Sequence, residues 1–352
     1  MLPGSIQITG ETLSGAEIKD ICDSLKENSV RLLSIRGCQL SDRDFGRVCR
    51  GVAESHSLAQ LNMNLGVVST INRTKHLADA LKTNRSIQTL FLHGSPLLDA
   101  GLVTLNTALS THPSLVSLDL GDCMLGDEAL RLICAMLPPD GAKSACPTGL
   151  RELTLSANPS ITTKGWARLA IAVAHSSQLR VLNLDYNPLG KNQSPGHKTN
   201  YCTSYRFAHS WHSLNQLHDV VTWNAFQLKG DQIAGMLAVA VASSRTLEVL
   251  DLEGTGLTNQ SAQVFLEMVE NYPTCLRVLV LAENAISPEL QQQISDLLSE
   301  GEEEDDKEGE ARGSAANPTR EKTAWIPHSN SHPQMVLLTS GLGESLLAET
   351  EM

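Results

Sequence analysis

Aromatic side chains make up only 4% of the 352 residues, and no run of about 18 apolar residues occurs. Without such a run the chain has no segment able to cross a bilayer as a helix. The phosphate-cradling G-x-x-x-x-G-K-S/T, the nucleophile-bearing G-x-S-x-G and the zinc-binding H-E-x-x-H are all missing. The chemistries that rely on them therefore lose their usual signature. Positive charge is short as well. Lys and Arg number 27 against 39 Asp and Glu, for a net charge of −12, and no basic stripe marks a nucleic-acid surface. Met1–Gly10 lacks the apolar core of a secretory signal. The eight cysteines include no C-x-x-C and no metal-type spacing with histidine. These absences predict reduced thiols in a reducing, cytoplasmic or nuclear compartment rather than a disulfide framework. The sequons at Asn72, Asn84, Asn192 and Asn259 then read as chance matches. No catalytic residue, cofactor or metal is expected, and the chain reads as a non-enzyme.

What the sequence does contain is repetition. Leu247–Leu257 reads LEVLDLEGTGL, with apolar residues at Leu247, Leu250, Leu252 and Leu257 and Thr255 between. The pattern returns at Val30-Leu33-Ile35-Cys38-Leu40, Leu58-Leu61-Met63, Ile87-Leu90-Leu92-Ser95-Leu97 and Leu115-Leu118-Leu120-Cys123-Leu125. It continues at Leu150-Leu153-Leu155-Asn158, Leu179-Leu182-Leu184-Asn187-Leu189 and Leu276-Leu279-Leu281-Asn284-Ile286, and a degenerate copy stands at Ile6, Ile8 and Leu13. This is the leucine-rich-repeat strand pattern. One copy cannot bury its row of leucines, but stacked copies shelter one another, so the expected fold is a solenoid.

The interval between first leucines is 28 or 29 residues for most copies. That length leaves room for a helix on the return path. Ala16–Leu25, Lys164–Ala174, Gln232–Ala242 and Ser261–Val269 carry apolar residues at helical spacing, and Asp44, Asp99 and Ser287-Pro288 read as helix starts. The fold class is therefore α/β: a curved horseshoe with a parallel sheet on the concave side and helices on the convex side, joined by right-handed crossovers. Cys22, Cys49 and Cys134 fall at the helix position that Leu77, Leu169 and Leu266 fill in other copies. Cys38 and Cys123 take the asparagine slot of the turn, where a buried polar atom bonds backbone.

The rhythm breaks twice. Leu115 to Leu150 is 35 residues, the excess lying in the turn-rich loop 138–149. Leu179 to Leu247 is 68, and removing residues 191–229 restores the period. That segment holds six of the thirteen aromatics and a single acid, Asp219, so it reads as an insertion, whether from splicing or from a faulty gene model. Closing so long a loop costs only about 2 kcal/mol, because loop entropy grows slowly with length. His209, His212 and His218 within it raise a metal site as one reading, but a disordered or loosely packed loop is the expectation. The repeat domain is taken as 1–299. From Glu300 onward twelve acids face four bases, so 300–352 reads as a disordered acidic tail containing a short apolar segment, 335–347. Its last residues, Thr350-Glu351-Met352, fit the weak pattern that PDZ domains capture by strand addition.

The 28/29-residue rhythm resembles the ribonuclease-inhibitor-like class of leucine-rich repeats, used also by NOD-like receptors and the Ran GTPase-activating protein. Stretches such as RSIQTLFLHGSPL, LDLGDCMLGDEA and LEVLDLEGTGLTNQSAQ carry the resemblance, which brings no catalytic or binding residues with it. It implies a repeat protein with no assigned activity to carry over. The strand residues between the leucines point away from the core. Phe91 with His93 forms an aromatic pair of the kind enriched at binding hot spots. Asp119, Asp185, Asp251 and Glu253 make the middle-to-late part of the wall acidic, suited to a basic partner, and Asn183 stands among them as a further candidate contact. The leading function is thus a non-enzymatic intracellular scaffold for protein–protein interaction through the concave face. The alternatives are a GTPase regulator similar to the Ran GTPase-activating protein, or a ribonuclease-inhibitor-like blocker of a basic protein.

Overall fold

The computed structural model describes residues 4–137, 149–190 and 232–311. Nine three-residue strands alternate with helices in strict chain order. They are β1 (Ser5–Gln7), β2 (Leu32–Ser34), β3 (Gln60–Asn62), β4 (Thr89–Phe91), β5 (Ser117–Asp119), β6 (Glu152–Thr154), β7 (Val181–Asn183), β8 (Val249–Asp251) and β9 (Val278–Val280). The helices, in the same order, are α1 (Gly15–Lys26), α2 (Asp42–Glu54), α3 (Ile71–Thr83), α4 (Leu98–Ser110), α5 (Asp127–Cys134), α6 (Thr163–His175), α7 (Gln232–Ser243), α8 (Asn259–Asn271) and α9 (Pro288–Ala311). All nine strands form one parallel sheet whose spatial order is the sequence order.

One row of side chains fixes the register. Ile6, Leu33, Leu61, Leu90, Leu118, Leu153, Leu182, Leu250 and Leu279 face one another across successive strands. The seven inner members are fully buried, while Ile6 and Leu279, each with a neighbour on one side only, are partly buried. That difference is what nearest-neighbour stacking predicts. β7 pairs directly with β8, so Leu182 and Leu250 are adjacent rungs although 68 residues separate them in sequence. β5 pairs with β6 across the other long interval. The segments 191–229 and 138–148, with their histidines and cysteines, lie outside the described residues, as do 335–347 and the C-terminal residues.

Each copy turns from strand to helix through a left-handed residue at one fixed slot: Gly10, Gly37, Leu65, Gly94, Asp122, Ala157, Tyr186, Gly254 and Glu283. Glycine adopts this conformation freely, whereas an L side chain there costs about 1 kcal/mol or more. In the following turn Asn158 donates through Nδ2 to the carbonyls of Leu120 and Leu155, and Asn187 does the same to Leu155 and Leu184. Cys38 and Cys123 do weaker versions of this job, with Sγ 3.4 Å from the Ile8 carbonyl and 3.2 Å from that of Leu92. Cys22 and Cys49 are buried on the inner helix faces and Cys134 is partly buried, all as free thiols.

Helix starts differ from the sequence reading in instructive ways. Ser287 caps α9, its Oγ accepting from Leu290 N. Asp44, expected to start α2, lies in its first turn, and Ser41 is the cap. Asp99 does not cap its own helix. Its Oδ1 accepts from Gly126 N at 2.7 Å and Ala129 N at 3.2 Å, closing the first turn of α5 in the next copy. Asp127 in turn accepts from Thr162 N and Oγ1 at the start of α6. The backbone of α9 continues past Ser299 to Ala311, through a run assigned above to the disordered tail. Glu and Lys have good helix propensity, so a helix already nucleated at Ser287 extends into them.

Candidate functional site

The seven residues singled out from the sequence fall on two neighbouring ladders of the concave face. Phe91, Asp119, Asn183 and Asp251 end their strands and are linked by register through Thr154. His93, Asp185 and Glu253 stand two residues further along. The face is less open than alternation alone implies. Asp119, Asn183, Asp185 and His93 are buried, at 5%, 4%, 3% and 8% exposure, whereas Phe91, Asp251 and Glu253 are partly buried. Rungs about 4.8 Å apart crowd their side chains together, and an inward-curving sheet crowds them further.

The polar side chains are also held down by their own backbone. Asp119 Oδ1 accepts from Gly121 N at 2.9 Å, Asn183 Oδ1 from Asp185 N at 2.9 Å, and Asp251 Oδ1 from Glu253 N at 2.9 Å. Asn62 makes the same bond to Asn64 N. An Asp or Asn at this slot thus satisfies an N–H that the sheet leaves pointing at the concave face. The sequence signal for this is an Asx residue directly after the second leucine of the copy.

His93 and Asp119 are brought together, Nδ1 lying 3.5 Å from Oδ1. Burial works against protonation of the ring, but the carboxylate of Asp119, with Asp122 and Asp185 behind it, outweighs that and raises the His93 pKa. The ring lies over Gly121, where a Cβ would fall 2.3 Å from Nδ1. Phe91 adjoins Asp119 through the register of β4 and β5, so the aromatic pair sits at the edge of the acidic wall.

Three carboxylates gather further along. Burial pushes Asp251 up to about 6; the hydrogen bond from Glu253 N opposes this, and the charges of Asp185 and Glu253 add to the rise. Tyr186, which the sequence reading did not single out, joins this end. Its hydroxyl donates to Glu253 Oε1 at 2.9 Å and lies 3.0 Å from Glu283 Oε2. Hydrogen bonding to Glu253 is the main cause of an upward shift in the phenol pKa. Among the described residues no ion pair joins Asp251, Glu253 or Glu283 to a base. Nor do three or more His, Cys, Asp or Glu side chains converge there in a metal-binding group. No helix among them is long and apolar enough to cross a membrane.

Known proteins share this pattern. A family model for the leucine-rich repeat matches residues 111–134. Leucine-rich repeat-containing protein 73 of Homo sapiens is 64% identical over a 360-residue alignment covering 100% of both chains, and its Rattus norvegicus counterpart matches equally. NACHT, LRR and PYD domains-containing protein 14 of Mus musculus is 27% identical over 287 residues, covering 80% of this chain and 27% of its own length. With full-length identity of that order on top of nine aliphatic rungs in register, the chain belongs to the leucine-rich-repeat family, in the same group as leucine-rich repeat-containing protein 73.

Proposed function

We propose that this protein is a non-enzymatic interaction scaffold whose concave face binds a basic protein partner. The observation that carries the reading is the group Asp251, Glu253 and Glu283, three acids on neighbouring rungs with no base paired to them among the described residues. A lysine or arginine arriving from a partner relieves the repulsion among carboxylates gathered in this way. Glu253 and Glu283 are the accessible members, while Asp119 and Asp185 supply field from beneath.

The test uses proteins captured on the full chain. A partner bound at this face loses at least tenfold in affinity to Glu253→Lys, with melting temperature unchanged, and dissociates faster as salt rises. Unchanged affinity in both Glu253→Lys and Asp251→Lys would exclude the acidic ladder as the contact surface.

A further inference from the structure

Seven large apolar side chains stand well exposed among the described residues, and four of them cluster. Leu65, Ile71, Leu98 and Met124 belong to three consecutive copies and lie on one edge, where β3, β4 and β5 run out toward their helices. The edge is continuous. Leu65 N donates to the His93 carbonyl at 2.7 Å, and Leu98 N to the Cys123 carbonyl at 3.1 Å, beside Met124. Leu65 also fills the space next to Gly94, its Cδ2 3.4 Å from where a Cβ would stand.

These residues occupy slots that other copies fill differently. Leu65 takes the left-handed slot that is glycine in the copies on either side, Gly37 and Gly94. Leu98 and Met124 are likewise left-handed, at φ 57° each. α4 begins without a side-chain cap, whereas α1, α2 and α3 are capped by Ser14, Ser41 and Thr70. Stability gives no reason for this choice, whereas a contact surface does.

Charge selects the occupant. Asp122 is exposed next to Met124, and the wall then continues through Asp119 and Asp185 to Asp251, Glu253 and Glu283. A second copy of the chain would bring the same acids to this edge. So would the chain's own apolar segment 335–347, which follows EGEEEDDKEGE. Both meet like charge. We infer that the edge and the wall together take a foreign segment whose apolar side chains sit on Leu65, Leu98 and Met124 and whose lysines or arginines run toward Glu253 and Glu283. This rests on the concave face being the binding wall, and adds the order of apolar and basic groups in the partner. From β4 to β8 the path is about 19 Å at ~4.8 Å per rung, or about 13 residues of helix at ~1.5 Å per residue.

Four labelled synthetic peptides of equal length test it against the full chain by fluorescence anisotropy. One has leucines in one half and lysines in the other, one has the same residues interleaved, one has glutamate in place of lysine, and one is residues 335–347 of this chain extended with glycine and serine. The segregated leucine–lysine peptide should bind at least tenfold more tightly than the other three. Leu65→Gly should weaken it at least fivefold while leaving the melting temperature the same or higher, because glycine suits the left-handed slot. The double variant Leu98→Ser, Met124→Ser should weaken it similarly. Equal binding of the segregated and interleaved peptides overturns the proposal, as does tighter binding of the chain's own segment. Loss in Glu253→Lys without loss in either edge variant overturns the apolar edge but leaves the acidic wall standing. No loss in any variant removes both.

Discussion

Replacing Leu250 by alanine removes three side-chain carbons from a site that is 0% exposed and flanked in register by Leu182 and Leu279. Neither neighbour can close the gap without breaking its own register, so both the lost burial and the cavity count. Together these cost about 2–5 kcal/mol. The comparison that gives the number meaning is Leu279→Ala. Leu279 occupies the same slot but is only partly buried, β9 being the last strand of the sheet among the described residues. It should therefore lose about half as much or less. Urea unfolding followed by circular dichroism at 222 nm reads both, provided the m-values match wild type. For a body of this size, a loss of about 3 kcal/mol corresponds to a fall of roughly 6–12 °C in melting temperature. If Leu250→Ala costs under about 1 kcal/mol, or no more than Leu279→Ala, the leucine rungs are not what holds the copies together.

Three further outcomes follow from the same geometry. Deleting residues 191–229 should leave the melting temperature unchanged or raise it, since β7 and β8 already pair; a large fall in differential scanning calorimetry would show that the segment supports the stack. Asp251 holds its proton more tightly folded, near 6, than unfolded, near 3.8. Stability from this group is therefore greatest below about pH 4 and falls as pH rises toward 6. Asp251→Asn, which keeps an oxygen for Glu253 N, should gain about 1–2 kcal/mol at pH 7.5 after allowance for partial exposure, and nothing at pH 4. Denaturant midpoints at the two values decide it. Gly121→Ala places a methyl where the His93 ring lies, so the ring should swing away from Asp119 at a cost of about 1–3 kcal/mol. An NMR titration of His93 would then show its pKa falling back toward the ordinary imidazole value, because the raised value depends on that carboxylate.

The sheet was legible in the sequence because it rests on one-dimensional information. Leucines recurring at a fixed interval specify a register, and the 68-residue gap from Leu179 to Leu247 yields to subtraction. Helix bodies were legible for the same reason, with α6 at Thr163–His175 against an expected Lys164–Ala174. What spacing does not carry is curvature. Alternation places Asp119 and Asp185 on the open face, but it does not show that neighbouring rungs crowd them to near-complete burial. It also hides partnerships between copies. Asp99 looks like the start of its own helix and serves the next one, 27 residues on. Tyr186 carries no signal in the spacing, and only folding puts its hydroxyl between two glutamates from other copies.

At helix starts that borrowing runs one way along the chain. Asp99 serves the start of α5, Asp127 that of α6, and Asn259 Oδ1 accepts from Ser287 N ahead of α9. In each case the residue with the accepting oxygen is synthesised before the helix that needs it. As the polypeptide leaves the ribosome, each new unit meets a finished template and leaves one for its successor. Trimming from the near end should therefore strip a helix cap from the first survivor, whereas trimming from the far end strips a turn asparagine, as Asn187 from the Leu155 carbonyl.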